Sequence, residues 1–184
     1  MPAAEEQHLI SRAREGSHEA FRVLVEHHMK HAYNVAFGFL GRHDAAADVA
    51  QDAFVHAHRA LATFRGDSDF GTWLHRIVMN LAMNRAKSDR VRAGREVDPA
   101  SATEAASAEP GFGHHEDLRG HIERALHELP TLQRAVVILR HVDGLSTRQV
   151  SLILKCSEGT VKTHLFRGLK KMRQKLHYLE GDLT

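Results

Sequence analysis

Lys162, Thr163, Arg167, Lys170, Lys171, Arg173 and Lys175 crowd into one short segment, and no Asp or Glu lies between Glu158 and Glu180. Cations at this density neutralise phosphates, and Lys, Arg and Thr at helical spacing also reach base edges in a major groove. A second group, Phe64, Arg65, Asp67, Ser68 and Phe70, sits in the stretch TFRGDSDFGTW, which ends at Trp73. Rings stack on unpaired bases, and nearby polar groups hydrogen-bond their edges. Asn80 and Asn84, one helical turn apart, offer amides to bases, and Arg85, Lys87, Arg90, Arg92 and Arg95 offer phosphate contacts. Taken singly, each aromatic residue fits a core better than a base platform. A third group, Asp48, Gln51 and Asp52, forms an acidic patch one turn wide. It suits a basic or polar partner helix, or is simply a solvated face.

Other chemistries find less support. The chain has sixteen histidines, with His27 and His31 at i,i+4, His56 close to His58, and His114 beside His115. The i,i+4 spacing suits a metal, but there is no H-E-x-x-H, and HEDLRGH at 115–121 is wrongly spaced. Solvated histidines that gain charge below about pH 6.5 are the better account. No phosphate-binding loop, nucleotide fingerprint or nucleophile with a base is present, so no metal, cofactor or catalytic residue is expected. Cys156 fits packing in a turn better than reactivity.

The elements that must hold these groups are helical throughout. Ser146 and Gln149 form an S-x-x-Q capping box ahead of a helix burying Val150, Ile153 and Leu154. Lys155-Cys156-Ser157 is the turn, and Ser157 is the natural cap of a second helix. That helix carries Val161, Leu165, Leu169 (or Gly168), Met172 and Leu176 as an apolar stripe, with the cations on its other faces. Core on one side and cationic on the other, this helix-turn-helix suits a DNA major groove. Towards the N-terminus, four helical segments are predicted. The first runs from Glu5 to Arg14, and a second, capped by Ser17, runs through Leu40. A third, capped by Asp44, carries Val49, Phe54, Ala57 and Leu61, and after the loop 64–72 a fourth carries Trp73, Ile77, Leu81 and Arg85.

Charge divides the chain further. Residues 1–95 hold 13 Lys/Arg and 11 Asp/Glu, residues 96–118 hold none and 6, and residues 119–184 hold 12 and 6. The middle segment, EVDPASATEAASAEPGFGHHEDL, is rich in Ala, Ser, Pro and Gly and too poor in apolar groups to offset its ordering entropy. The expectation is an all-α protein. Two small helical domains, 1–95 and 119–184, are joined by a flexible acidic linker, 96–118, and the basic second unit points to nucleic acid. MPAAEEQHLI lacks the regions of a signal peptide, no apolar run reaches the length of a membrane span, and the single cysteine excludes an intramolecular disulfide. A cytoplasmic protein without membrane insertion is expected.

Both halves together resemble bacterial RNA polymerase sigma factors of the extracytoplasmic-function group. DAAADVAQDAFVHAHRALATFRGDSDFGTWLHRIVMNLAMN is similar to the second conserved sigma region, and ELPTLQRAVVILRHVDGLSTRQVSLILKCSEGTVKTHLFRGLKKMRQKL to the fourth. The order and spacing also match. The resemblance implies that Asp48, Gln51 and Asp52 bind the coiled coil of the polymerase beta-prime subunit. It places Phe64, Arg65, Asp67, Ser68, Phe70, Trp73, Arg76, Asn80 and Asn84 at the −10 element, where a flipped base is captured. Arg140, Ser157, Thr160, Lys162, Thr163, Phe166 and Arg167 fall at the −35 element. The linker would thread the polymerase cleft and RNA exit channel, and the beta subunit is an implied partner beside beta-prime. Three departures stand out: Gly71 where a bulkier residue is usual, Lys155 in place of a turn glycine, and His164 in place of an arginine.

The implied function is that of an alternative sigma factor. It binds core RNA polymerase, recognises −35 and −10 promoter elements, and promotes strand opening and initiation at a stress-responsive set of genes. The chain carries no bond chemistry of its own, and an anti-sigma factor is an implied partner. A rival reading, a stand-alone helix-turn-helix transcriptional regulator, accounts for the second unit but leaves the FRGDS loop and the acidic patch unused.

Overall fold

A computed structural model describes residues 1–92 and 118–177. The expected boundary at 95, nearly all of the acidic linker, Arg95, His114 and His115 lie outside the described residues. Helices account for every regular element among those described: α1 Ala3–Arg14, α2 His18–Leu40, α3 His43–Ala60, a 3-10 turn Leu61–Thr63, and α4 Phe70–Arg92 in the first half. In the second half come α5 Leu118–His127, α6 Thr131–Val137 running into a π-helical turn Ile138–Val142, α7 Thr147–Leu154 and α8 Glu158–Leu176.

Local chemistry sets most of the helix ends. The Ser17 hydroxyl accepts from the Ala20 N–H at 3.3 Å, and Gly41, at φ +71°, ends α2 in the left-handed region that glycine tolerates. Two ends differ from expectation. Arg42, with no side-chain cap, precedes α3, so Asp44 lies inside the first turn; there the Ala45 N–H holds its carboxyl below the usual range. The fourth helix starts at Phe70, three residues before Trp73, because Asp69 caps it. Asp69 Oδ1 accepts from the Thr72 N–H at 2.7 Å, and Oδ2 from the Thr72 hydroxyl at 2.9 Å.

Small side chains let α2, α3 and α4 pack closely. Ala32 and Ala36 of α2, Ala46, Ala50, Ala53 and Ala57 of α3, and Ala82 of α4 are all buried. Phe39, Leu24, Leu74, Val78 and Met79 fill the remaining space, each fully buried. Burying one such side chain contributes about 1.5–3 kcal/mol. The second half closes around Leu129, Val136, Ile138, Leu139, Val150, Ile153 and Val161, and its core is continuous with that of the first. Leu154 is only half-buried.

Candidate nucleic-acid interfaces

The helix-turn-helix is built by capping. Ser146 Oγ accepts from the Gln149 N–H at 3.2 Å, while Gln149 Oε1 accepts from the Ser146 N–H at 2.9 Å, completing the box that starts α7. Lys155 takes φ +52° in the turn, an uncommon conformation for a side chain with a Cβ. Ser157 Oγ accepts from the Thr160 N–H at 3.0 Å and lies 2.9 Å from the Thr160 hydroxyl. Both residues, expected at the −35 element, thus shape the N-terminus of α8. Val161 and Gly168 are the buried positions of α8, whereas Leu169 is 39% exposed, so the apolar stripe runs through the glycine. A methyl on Gly168 would lie 2.8 Å from Val137 Cγ2, so α8 packs closely on α6 here.

The opposite face of α8 is open. Lys162, Thr163 and Arg167 are exposed, and the Phe166 ring is 70% exposed. The Thr163 hydroxyl donates to the Gly159 carbonyl at 2.9 Å. Burial, then the Arg167 charge, pushes the His164 imidazole below its ordinary pKa. Arg140 is half-buried, with one guanidinium N–H donated to the Leu145 carbonyl, so it braces the turn between the π-helical turn and α7.

In the first half the residues expected at the −10 element divide into two layers. Phe64 and Phe70 are core residues, 3% and 0% exposed, and the expectation that they present ring faces to bases is corrected by that placement. They form a trio with the half-buried Trp73, at centroid distances of 5.1 Å (Phe64–Trp73), 5.5 Å (Phe70–Trp73) and 6.0 Å (Phe64–Phe70). The loop is drawn inward by its aromatics because burying them outweighs exposing a platform. Of the other residues expected at the −10 element, Arg65, Asp67, Asn80 and Asn84 are exposed, and Ser68 and Arg76 are half-buried.

Asp69 and Thr72 belong to this site and were passed over in the sequence. The D-x-x-T spacing, a cap followed by a polar side chain at the third helical position, was the available signal. Burial pushes the Asp69 carboxyl up, but hydrogen bonds from Thr72 and Gln149 together hold it below its usual range. On α3, Asp48, Gln51 and Asp52 are exposed on one face, and Asp48 Oδ2 lies 3.9 Å from Arg85 Nη1. Among the described residues no group of His, Cys, Asp and Glu is arranged to hold a metal, and no described helix is long and apolar enough to cross a membrane.

Two family descriptions match: Sigma-70 region 2 over residues 24–92 and Sigma-70 region 4 over residues 119–172. The chain is 37% identical to the RNA polymerase sigma-H factor of Pseudomonas aeruginosa, over 95% of each chain. It is 34% identical to the ECF RNA polymerase sigma-E factor of Escherichia coli K12, again over 95% of each. The chain belongs to the extracytoplasmic-function group of sigma-70-family sigma factors. The described fold agrees. CnrH in complex with the cytosolic domain of CnrY has a TM-score of 0.70 at 24% identity, over 95% of this chain and 98% of that one. A Bartonella quintana sigma factor RpoE, solved with the anti-sigma factor NepR, has a TM-score of 0.68 at 22% identity, over 85% and 96%. In this sigma factor α2–α4 are region 2, and α5–α8 are region 4.

Proposed function

We propose that this sigma factor attaches to core RNA polymerase through Asp48, Gln51 and Asp52 of α3, reads the −35 element with α8, and reads and opens the −10 element with the loop before α4. Residues 1–95 and 119–184 act as the two units, and 96–118 joins them. The observation that carries the reading is α8: its apolar stripe is buried on α6, and Lys162, Thr163, Phe166 and Arg167 are left open on the other side. A helix so placed enters a major groove with base-contacting side chains outward. On region 2, Arg65, Asp67, Asn80 and Asn84 supply the exposed polar groups for the −10 strand, while Phe64 and Phe70 anchor the loop in the core.

Each good base contact contributes about 1–3 kcal/mol of discrimination. Neither unit alone is then highly selective, and joining them on one polymerase makes the second contact effectively intramolecular. The chain itself makes and breaks no bond; the polymerase catalyses. The site of action is the cytoplasm, and the genes served are stress-responsive. An anti-sigma factor is a further partner, in keeping with the NepR complex of the Bartonella sigma factor.

The test is abortive transcription by purified bacterial core polymerase on a pool of randomised promoters, with and without this chain. Sequence-selective initiation that disappears when Asp48, Gln51 and Asp52 are changed to Ala is the expected result. Promoter binding without polymerase, and no initiation with it, would instead make the chain a stand-alone regulator.

A further inference from the structure

Region 4 is folded down onto region 2, and the seam between them is lined with histidines. Asp143, which follows the π-helical turn, has a side chain only 3% exposed. Its Oδ1 lies 3.1 Å from Nδ1 of His31 on α2, and its Oδ2 lies 3.3 Å from Nδ1 of His75 on α4. The His75 contact is close enough for an ion pair but not aligned as a hydrogen bond, so His75 Nδ1 is buried without a hydrogen-bond partner.

At another point of the seam, His127 of α5 presses on Gly41, where a methyl would lie 2.3 Å from its Nε2. His127 Nδ1 is 2.8 Å from Arg134 Nη1. A guanidinium only donates, so this ring nitrogen must accept, and the imidazole must be neutral. Arg134 in turn lies over the Phe39 ring of α2, 4.8 Å from its centroid. Protonating His127 would set a donor against a donor and a cation against a cation inside a closed contact. Between these points, Gln149 Nε2 donates to Asp69 Oδ2 and Thr72 Oγ1, each at 3.2 Å, so α7 covers the polar pair that begins α4.

We propose that this seam is an acid-released latch: region 4 stays closed over the start of α4 while His127 is neutral, and lets go when it takes up a proton against Arg134. All the charged groups facing the His75 and His127 rings enter the balance. Burial pushes His75 below its ordinary pKa; Asp143 and Asp69 oppose this, and His31 and His28 add to it. Burial, then Arg134, pushes His127 down to about 4, against Glu123.

In an opened chain the His127 ring, freed from Arg134 and Gly41, titrates near the ordinary value of about 6.5. Below that pH the open form binds protons that the closed form refuses, so acidification favours opening. For His127 alone, going from pH 7.5 to 5.5 raises the open-to-closed ratio about ten-fold. The consequence for reading the −10 element rests on the function proposed above; the release itself does not.

The chain carries its own ruler, since Trp73 on α4 and Cys156 after α7 are its one tryptophan and one cysteine. Energy transfer from Trp73 to a naphthalene acceptor on Cys156 in the full chain is followed from pH 7.5 to 5.5, with helicity monitored by circular dichroism. Strong transfer at pH 7.5 that falls on acidification at constant helicity is expected. In His127→Gln, whose amide oxygen still accepts from Arg134, the acid response should shrink about ten-fold.

Transfer that is weak at pH 7.5, unchanged at pH 5.5, or lost only together with helicity overturns the latch. So does an undiminished acid response in His127→Gln; should that variant be open already at pH 7.5, the response of the unaltered chain decides. No promoter or polymerase is present, so failure here leaves the transcription result standing.

Discussion

Region 4 and region 2 put aromatic rings to opposite uses. In region 4, Phe166 is 70% exposed amid the cations of α8, while small residues, Gly168 above all, make the packing contact. In region 2, Phe64 and Phe70 are sunk into the core, and polar side chains occupy the surface above them. One region leaves the cationic face of α8 open to solvent; the other has the start of α4 covered by Gln149 of its neighbour. Residue type alone therefore does not tell a ring that touches a ligand from one that holds a loop in place; burial does.

This contrast is open to direct attack. Phe70→Ala should cost about 3–5 kcal/mol by emptying a fully enclosed site, read as a large fall in the region 2 unfolding midpoint. Phe166→Ala should leave that midpoint within about 0.5 kcal/mol yet weaken −35 binding, and equal destabilisation by the two would erase the distinction. Next in size, Lys162→Ala or Arg167→Ala should weaken promoter binding by about 1–3 kcal/mol when the side chain reads a base. When it only neutralises a phosphate, the variant should flatten the salt dependence by about one unit of slope; binding titrations at several salt concentrations separate the two.

Gly168→Ala would push a methyl against Val137 and should cost about 1–3 kcal/mol, lowering the melting temperature of region 4. The smallest effect belongs to Gln149→Ala. It removes half of a capping box and the two hydrogen bonds from Nε2 to Asp69 and Thr72, and should cost about 1 kcal/mol, visible as a modest rise in hydrogen exchange at the start of α7.

Acid sharpens the comparison further. Because His127 is held down to about 4, the stability it lends the closed arrangement is complete above about pH 6.5. It declines as pH drops from there and stops declining near 4. No equivalent histidine pair ties down the exposed face of α8 among the described residues, so the acid response should be concentrated at the seam.

Much of this was legible in the sequence wherever the determinant was local. The Ser146–Gln149 box, the Ser17 and Ser157 caps and the Val161 stripe depend on neighbours within a turn or two, and all appear at the expected places. Asp69 acts just as locally, but two flanking glycines and several polar residues made its segment look like continuous loop, hiding the start of α4 at Phe70. The inward turn of Phe64 and Phe70 agrees with the core placement that each ring favours singly, but which helix faces receive them was not legible, because those faces come from elsewhere in the chain. The docking of region 4 was invisible for the same reason: His31 and Asp143 are 112 residues apart, and Gln149 and Thr72 are 77 apart. Nothing in a helical period encodes such a pairing.

The fit of His127 into the space beside Gly41 also bears on how such proteins recombine. A chimaera that joins region 2 of this chain to region 4 of a relative would inherit one side of a matched surface without the other. A larger side chain at position 41, already strained by the left-handed backbone there, would also meet the imidazole of His127, with its Cβ 2.3 Å from Nε2. The two regions are then sterically matched at this contact. Exchanges between related genes should survive more readily when the residues at 41 and 127 travel together.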